Sequence, residues 1–300
     1  MSPPRWNASN LPDMRGRTAI VTGANSGIGR AAALELARAG AAVTLAVRDT
    51  SKGKSAANGM SGDLTVRPLD LADLGSVRSF ADAIDGPINL LVDNAGVMAT
   101  PEQRTADGFE MQIGTNHLGH FALTNLLLPR ITDRVVVVSS DLHRNGRIDL
   151  DDLNWERRPY KAWDAYSQSK LANMLFVLEV QRRLTDAGST VRAVAAHPGY
   201  AATNLQGRTA SPISNFFAAI ANRLVAQSDT MGALPTLYAA TADIPGGTYI
   251  GPDGFRHIRG YPAVDTPAPQ ALDPETARRL WDLSEQLTGV SWALKPHAST

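Results

Sequence analysis

The chain has 300 residues, 43% of them hydrophobic, enough to bury a sizeable core in one large α/β domain or two small ones. Lysine plus arginine equals aspartate plus glutamate at 29 each, so no net field favours nucleic acid or an anionic membrane and any anion site is local. Cysteine is absent, which excludes disulfides, thiolate nucleophiles and Cys-ligated metal centres and is compatible with a reducing cytoplasm.

Residues 1–16 read as an N-terminal extension with no continuous apolar run, so neither a secretory signal nor an anchor is expected there. No later stretch reaches the roughly 20 apolar residues of a spanning helix, and a soluble, cytoplasmic protein is the expectation. Thr18 to Val21 reads as a strand that enters Thr22-Gly23-Ala24-Asn25-Ser26-Gly27-Ile28-Gly29, followed by a helical pattern with Ile28, Ala32 and Leu36 on one face. Between a strand and a helix, such glycines let the backbone turn tightly and bring its amides, with the positive helix end, to a pyrophosphate. The spacing is T-G-x-x-x-G-x-G rather than the G-x-G-x-x-G of the dinucleotide fingerprint.

Val43 to Val47 forms the next strand, where a dinucleotide site usually declares its preference. An acidic tip would accept from ribose hydroxyls, whereas Arg48 suits a 2′-phosphate and favours NADP(H) while leaving NAD(H) open; a merely solvated arginine is the alternative. Asp49 suits a helix cap or a turn. Leu64 to Leu69 is a third strand whose end, Asp70-Leu71, could accept from an adenine amine or help start the helix from Asp73 to Ile84. Ile88 to Val92 reads as a strand buried on both faces and ends in Asp93-Asn94-Ala95-Gly96, whose small residues suit a close cofactor.

A helix is predicted from about Ala106 to Leu128, interrupted by Gly114-Thr115-Asn116-His117-Leu118-Gly119-His120-Phe121. Glycine inside a helix costs up to about 1 kcal/mol relative to alanine, so either a kink turning Asn116 toward a polar pocket or close packing on the sheet selects it. His117 and His120 lack the Glu of a zinc-helix pattern and read as packed and hydrogen-bonded, and no metal site is expected. Arg134 to Ser140 is a fifth buried strand ending on two hydroxyls that point toward the ligand end of an open sheet. Asp141 to Asp164 follows as a polar insertion bordering the pocket.

Tyr166-Ser167-Gln168-Ser169-Lys170 opens a helix carrying Leu171, Met174, Leu175 and Leu178. Tyr166 and Lys170, four apart, share one face. A cation about 4 Å from the phenol, at an effective dielectric of about 20, would favour the phenolate by roughly 4 kcal/mol, about three pKa units below the free value of about 10. Strand Val191 to Ala196 then leads to His197-Pro198-Gly199-Tyr200-Ala201-Ala202-Thr203. The apolar spacing of Ile213, Phe216, Phe217, Ile220, Leu224 and Val225 suits a substrate lid over 204–228, ahead of a membrane-surface helix or core. Gly247 to Gly251 reads as a last strand, and 252–300 as a C-terminal extension with a helix from about Pro274 to Leu287. Without a repeat or linker, residues 1–300 form one domain.

Thr22-Gly23-x-x-x-Gly27-Ile28-Gly29, Asn94-Ala95-Gly96, Asn116, Ser140, Tyr166-x-x-x-Lys170 and Pro198-Gly199-x-x-x-Thr203, in this order, resemble the short-chain dehydrogenase/reductase superfamily over nearly the whole chain. Thr115 to Phe121 and Tyr166 to Asn173 resemble its retinol-dehydrogenase-like branch, and the ending resembles actinobacterial members. The resemblance implies a doubly wound, mostly parallel Rossmann sheet of about seven strands and hydride transfer between a nicotinamide and an alcohol or carbonyl. It implies Tyr166 as acid and base, and Lys170 as the residue that lowers its pKa and bonds the nicotinamide ribose. Ser140 would hold the carbonyl oxygen, Asn116 would position a water, and Thr203 would fix the carboxamide. Arg48 resembles NADP-preferring members. Asp93 stands where the family often has asparagine, and the Ser140–Tyr166 separation exceeds that of many relatives.

The leading expectation is therefore a soluble oxidoreductase for an apolar alcohol, aldehyde or ketone, with no nucleic-acid partner and homo-oligomerisation left open. A pigment-reductase-like enzyme is disfavoured by the missing cysteine. A catalytically silent nucleotide sensor is disfavoured by the intact Asn116, Ser140, Tyr166 and Lys170 set.

Overall fold

The apolar runs pair side by side in register. β1 (Thr18–Thr22), β2 (Ala42–Val47), β3 (Leu64–Pro68), β4 (Ile88–Asp93), β5 (Ile131–Val138) and β6 (Arg192–Ala196) are all parallel, with Val21 opposite both Leu45 and Val92. β7 (Tyr249–Pro252) continues the parallel sheet and β8 (Pro262–Val264) closes it antiparallel, in the order β3-β2-β1-β4-β5-β6-β7-β8. Among the described residues the sheet has eight strands, the seven expected parallel ones and the antiparallel β8. β8 is three residues long, too short for a period-two pattern, and its proline sits at a sheet edge where no ladder donor is required. The computed structural model describes residues 5–199 and 228–294. Thr203 and residues 204–227 of the expected lid lie outside the described residues.

Helices cover both faces, which is why the central strands are continuously apolar. α1 (Gly27–Arg38) packs with Met14, Leu45 and Val92 on one face, and α2 (Thr50–Ala57) follows β2. α3 (Leu74–Asp82) lies on the opposite face, where Val77 and Phe80 meet Leu91 and Phe121.

The helix expected from Ala106 begins instead at Met111. Thr105 to Phe109 closes on itself, with Thr105 N donating to the Phe109 carbonyl at 2.9 Å and Gly108 at φ 85°. The buried Glu110 carboxylate then caps α4 (Met111–Ile113) by accepting from Gln112 N at 2.9 Å and Ile113 N at 2.8 Å. A π-helical turn, Gly114–Leu118, follows and runs into α5 (Gly119–Leu127). The glycines serve a kink at Asn116 and a close approach to the loop after β3, not packing on the strands themselves. The turn is locally widened at Asn116, and a Cβ on Gly119 would stand 2.4 Å from the Leu71 carbonyl oxygen.

α6 (Ala162–Asp186) crosses the second face, buried on every side from Ala165 to Val177. α7 (Asp229–Thr241) is a helix that the apolar pattern hides, because Gly232 and Pro235 lie inside it and most of its circumference is buried. Ser228 caps its start and Arg134 its end, donating to the carbonyls of Ala239 at 2.8 Å and Ala242 at 2.7 Å. α8 (Pro274–Thr288) stacks Trp281 on Phe176 of α6 with ring centroids 5.8 Å apart.

Candidate active site

β2 and β4 flank β1, so the chain leaves the β1 and β4 ends in opposite directions and opens the crevice where doubly wound sheets bind ligands. Gly23 and Gly27 have φ of 67° and 59°, a conformation that favours glycine. A Cβ on Gly23 would lie 2.9 Å from Ala95 Cα, and one on Gly29 2.3 Å from Asn94 Nδ2. The cradle therefore admits only glycine and is built against Asn94-Ala95-Gly96. Thr22 ties the two loops. Its hydroxyl accepts from the amides of Asn94 and Ala95, both at 2.9 Å, and its carbonyl accepts from Asn94 Nδ2 at 2.8 Å. Ser26 occupies the α1 N-cap without a side-chain capping bond, so a bare helix start faces the cradle. This arrangement fits a pyrophosphate.

The neighbouring residues divide their roles. Asp49 caps α2 by accepting from Lys52 N at 3.0 Å, whereas Arg48 is exposed at the β2 tip and pairs with no acid among the described residues. Asp73, not Asp70, caps α3. Asp70 Oδ1 accepts from Ala72 N at 3.0 Å, and the Leu71 side chain is buried in the core.

Tyr166, Lys170, Ser140 and Asn116 converge beyond β4 and β5. Lys170 Nζ donates to the Val138 carbonyl at 3.0 Å and lies 5.8 Å from the Tyr166 ring centroid. Ser140 caps the turn Asp141–Asn145, its hydroxyl accepting from Leu142 N at 3.3 Å. Ser139, its neighbour, instead donates to the Lys170 carbonyl at 2.9 Å and fastens β5 to α6. The Asn116 amide is held on both sides. Its Oδ1 accepts from Val97 N at 2.8 Å, and its Nδ2 donates to the Val97 carbonyl and to Ser169 Oγ, both at 2.9 Å. A Cβ on Gly96 would stand 3.1 Å from Asn116 Oδ1 and 3.5 Å from Lys170 Nζ, so the loop after β4, the π-helical turn and α6 close on one spot.

The electrostatics differ from the helix-spacing estimate. Burial pushes the Tyr166 phenol up to about 12, opposed by its hydrogen bond with Ser140, and burial pulls Lys170 down to about 8. Desolvation outweighs the lysine charge, because the ammonium is bonded to Val138 instead of the phenol oxygen.

The insertion is pinned at the rim. Arg158 lies 3.8 Å over the Trp155 ring and donates to Asp149 Oδ2 at 3.0 Å and Gln168 Oε1 at 2.7 Å. Trp163, 53% exposed, presents its ring edge-to-face to Tyr166 at 6.3 Å. On the far side, a cavity of about 640 Å³ runs between the Ser140 turn and the β7–β8 connection, bordered by Arg144, His257 and Asp265. Gly199, next to Pro198, has φ 67° and is backed by the Ile258 carbonyl, 2.4 Å from where a Cβ would sit. His197 holds this loop by its 3.0 Å contact with Asp265. Sequence reading passed over Asp265, because nothing in its local pattern pairs it with His197.

The profile of a family described as short chain dehydrogenase matches residues 17–213. Retinol dehydrogenase 13 of Homo sapiens is 44% identical over 294 residues, spanning 92% of this chain and 85% of that protein. Polyprenol dehydrogenase of Mus musculus is 41% identical over 296 residues, 93% and 86% of the two. The crystal structure of an uncharacterized protein from Mycobacterium Paratuberculosis superposes with a TM-score of 0.86 at 54% identity, covering 97% of this chain and 100% of that one. The Pseudomonas aeruginosa RhlG/NADP complex, 24% identical with a TM-score of 0.62 over 82% of this chain and 98% of that one, shares the fold. The chain therefore belongs to the short-chain dehydrogenase/reductase superfamily, as a retinol-dehydrogenase-like member and an NAD(P)-dependent oxidoreductase.

Proposed function

We propose that the chain interconverts an apolar alcohol with its aldehyde or ketone, using NADP(H) and Tyr166 as general acid and base. The convergence of Tyr166, Ser140, Lys170 and Asn116 beside a cradle that only glycine can form carries this reading. When bound, the nicotinamide supplies or accepts the hydride.

The chain's own residues hold the cofactor and move the proton. The amides of Gly23, Asn25, Ser26, Gly27, Ile28 and Gly29 would hold the pyrophosphate, and Arg48 the 2′-phosphate. Asp70 and Leu71 would border the adenine. Asn94, Ala95, Gly96 and Pro198 would line the nicotinamide half, with Thr203, outside the described residues, at the carboxamide. Ser140 Oγ holds the substrate oxygen while the Tyr166 phenol, protonated at neutral pH, gives its proton to it in the reductive direction. Lys170 would bond the ribose, stabilise the phenolate and return a proton to it, and Asn116 would position the water that links Lys170 to bulk solvent and restores its proton.

The apolar substrate class is supported by the retinol and polyprenol named in the relatives and by the exposed Trp163 ring beside Tyr166. Residues 204–228 are proposed as the lid, of which Ser228 alone is described. No helix among the described residues is long and apolar enough to cross a membrane, and a cytoplasmic location is part of the proposal.

The test screens aliphatic, retinoid, steroid and quinone carbonyls with NADPH and NADH in parallel, then compares Tyr166→Phe on the best substrate. Turnover is expected to fall by at least about a hundredfold, with cofactor affinity nearly unchanged. Equal turnover in the variant would remove Tyr166 from the chemistry.

A further inference from the structure

His120 lies behind the site, 1% exposed, and touches neither end of the proposed reaction. Its two ring nitrogens face different machinery. Nδ1 is 3.1 Å from the backbone carbonyl oxygen of Asn116, within the π-helical turn, and Nε2 is 2.9 Å from Thr22 Oγ1, the atom that ties the glycine cradle to Asn94 and Ala95.

Hydrogen-bond capacity decides where the proton resides. A carbonyl only accepts, so Nδ1 carries hydrogen. The Thr22 hydroxyl has two acceptor sites and one donor, and the amides of Asn94 and Ala95 already fill the acceptor sites. Its hydrogen therefore points outward, and Nε2, 2.9 Å away, is a much nearer acceptor than the Val92 carbonyl at 3.4 Å. One neutral tautomer satisfies every group. Burial holds the imidazole neutral, pulling it down to about 4, and Lys170 nearby acts in the same direction. Two further ionisable groups face the ring: His117, which burial pulls down to about 3 and so holds neutral, and Asp93, whose Oδ1 is 4.0 Å from Nε2 and whose carboxyl burial pushes up to about 8, so neither drives it toward an imidazolium at neutral pH.

We propose that His120 is a positioning residue that locks the catalytic Asn116 turn to the cofactor cradle, donating from Nδ1 to the Asn116 carbonyl and accepting at Nε2 from Thr22. This rests on the reading of Asn116 and the glycine cradle given above. The two bonds are separable by substitution. An asparagine side chain places an amide nitrogen near the position of Nδ1, and a glutamine side chain places a polar atom near that of Nε2.

The experiment has two parts. In the first, ¹⁵N NMR of histidine-labelled wild-type protein reads the tautomer, with His120→Gln identifying the resonance. The expected signal is an Nδ1–H, Nε2-unprotonated ring that persists from pH 6 to 8. An Nε2–H ring or an imidazolium would overturn the proposal whether or not the proposed catalysis is correct. In the second, His120→Gln should lower kcat about tenfold with the NADPH dissociation constant within about twofold, whereas His120→Asn should weaken NADPH binding about tenfold with kcat largely retained, each the loss of about one hydrogen bond. Both variants losing both parameters together, or neither losing anything, would refute the division of roles. Failure of Tyr166 as the acid would appear in Tyr166→Phe and leave the tautomer and binding results standing.

Discussion

Lys170 points its ammonium at the Val138 carbonyl, 3.0 Å away, and passes the Tyr166 ring at 5.8 Å from its centroid. It is a buried cation bonded to a strand end, and burial lowers it from 10.5 to about 8. The unfolded chain therefore binds one more proton than the folded chain between about pH 8 and 10.5, so stability rises with pH across that window. Below it the lysine costs the fold roughly 3 kcal/mol.

Lys170→Met should consequently stabilise the protein while abolishing turnover. The Val138 carbonyl keeps a second donor in Asn173 Nδ2 at 3.4 Å, so the substitution orphans no acceptor. Thermal unfolding at pH 7 should shift upward by about 3 °C or more, and the gain should shrink as pH rises from 8 to 10.5. A variant less stable than wild type at pH 7 would mean that the ammonium is better solvated than its burial indicates.

Gly29→Ala tests the cradle. The new methyl would meet Asn94 Nδ2 at 2.3 Å and the Gly23 carbonyl at 2.7 Å, forcing apart the two loops that Thr22 joins. Cofactor affinity should fall by at least about tenfold, a cost of about 1–3 kcal/mol typical of overpacking, with far-ultraviolet circular dichroism unchanged. Fluorescence titration of NADPH reads it, and unchanged affinity would show that the loops separate freely.

Arg48→Ala should weaken NADPH binding at least about tenfold and NADH binding by less than about twofold, the loss of one charge-assisted phosphate contact. Because Asp49 is occupied in capping α2, no carboxylate at the tip compensates by holding a ribose hydroxyl. Parallel fluorescence titrations of both cofactors check this, and equal losses would remove Arg48 from the phosphate.

Much of this architecture was legible because its determinants are local. Largely apolar runs mark β1, β2, β4, β5 and β6, the glycine loop follows β1, and the Tyr166–Lys170 spacing lies on the helix α6. What escaped depends on contacts far apart in sequence. α7 is disguised by Gly232 and Pro235, and its end carbonyls are taken by Arg134 from β5, a partner far away in sequence. The start at Met111 is set by a carboxylate, Glu110, whose burial no periodicity reveals. The direction of the Tyr166 shift was misjudged for the same reason: helix spacing places the lysine nearby, but only the packed structure reveals the desolvation and the competing bond to Val138.

Asp93 extends that lesson to stability. Its Oδ2 accepts from Thr124 Oγ1 at 2.7 Å, while Oδ1 is buried without a partner. Burial pushes the carboxyl from 3.8 to about 8. The folded chain thus keeps a proton that the unfolded chain has released, and the contribution of Asp93 to stability falls as pH rises from about 4 to about 8, then levels off. An asparagine in its place would retain an acceptor for Thr124 and could not ionise. Asp93→Asn should therefore gain on wild type progressively between pH 5 and 8 and hold a constant advantage from 8 to 9, as urea unfolding at each pH would measure. A stability difference that stays flat from pH 5 to 9 would mean that the carboxyl does not titrate in that range. Because the His120 ring is held by Thr22 and Asn116 and not by Asp93, its Nδ1–H tautomer should survive the substitution, separating the electrostatic role of Asp93 from the positioning role of His120.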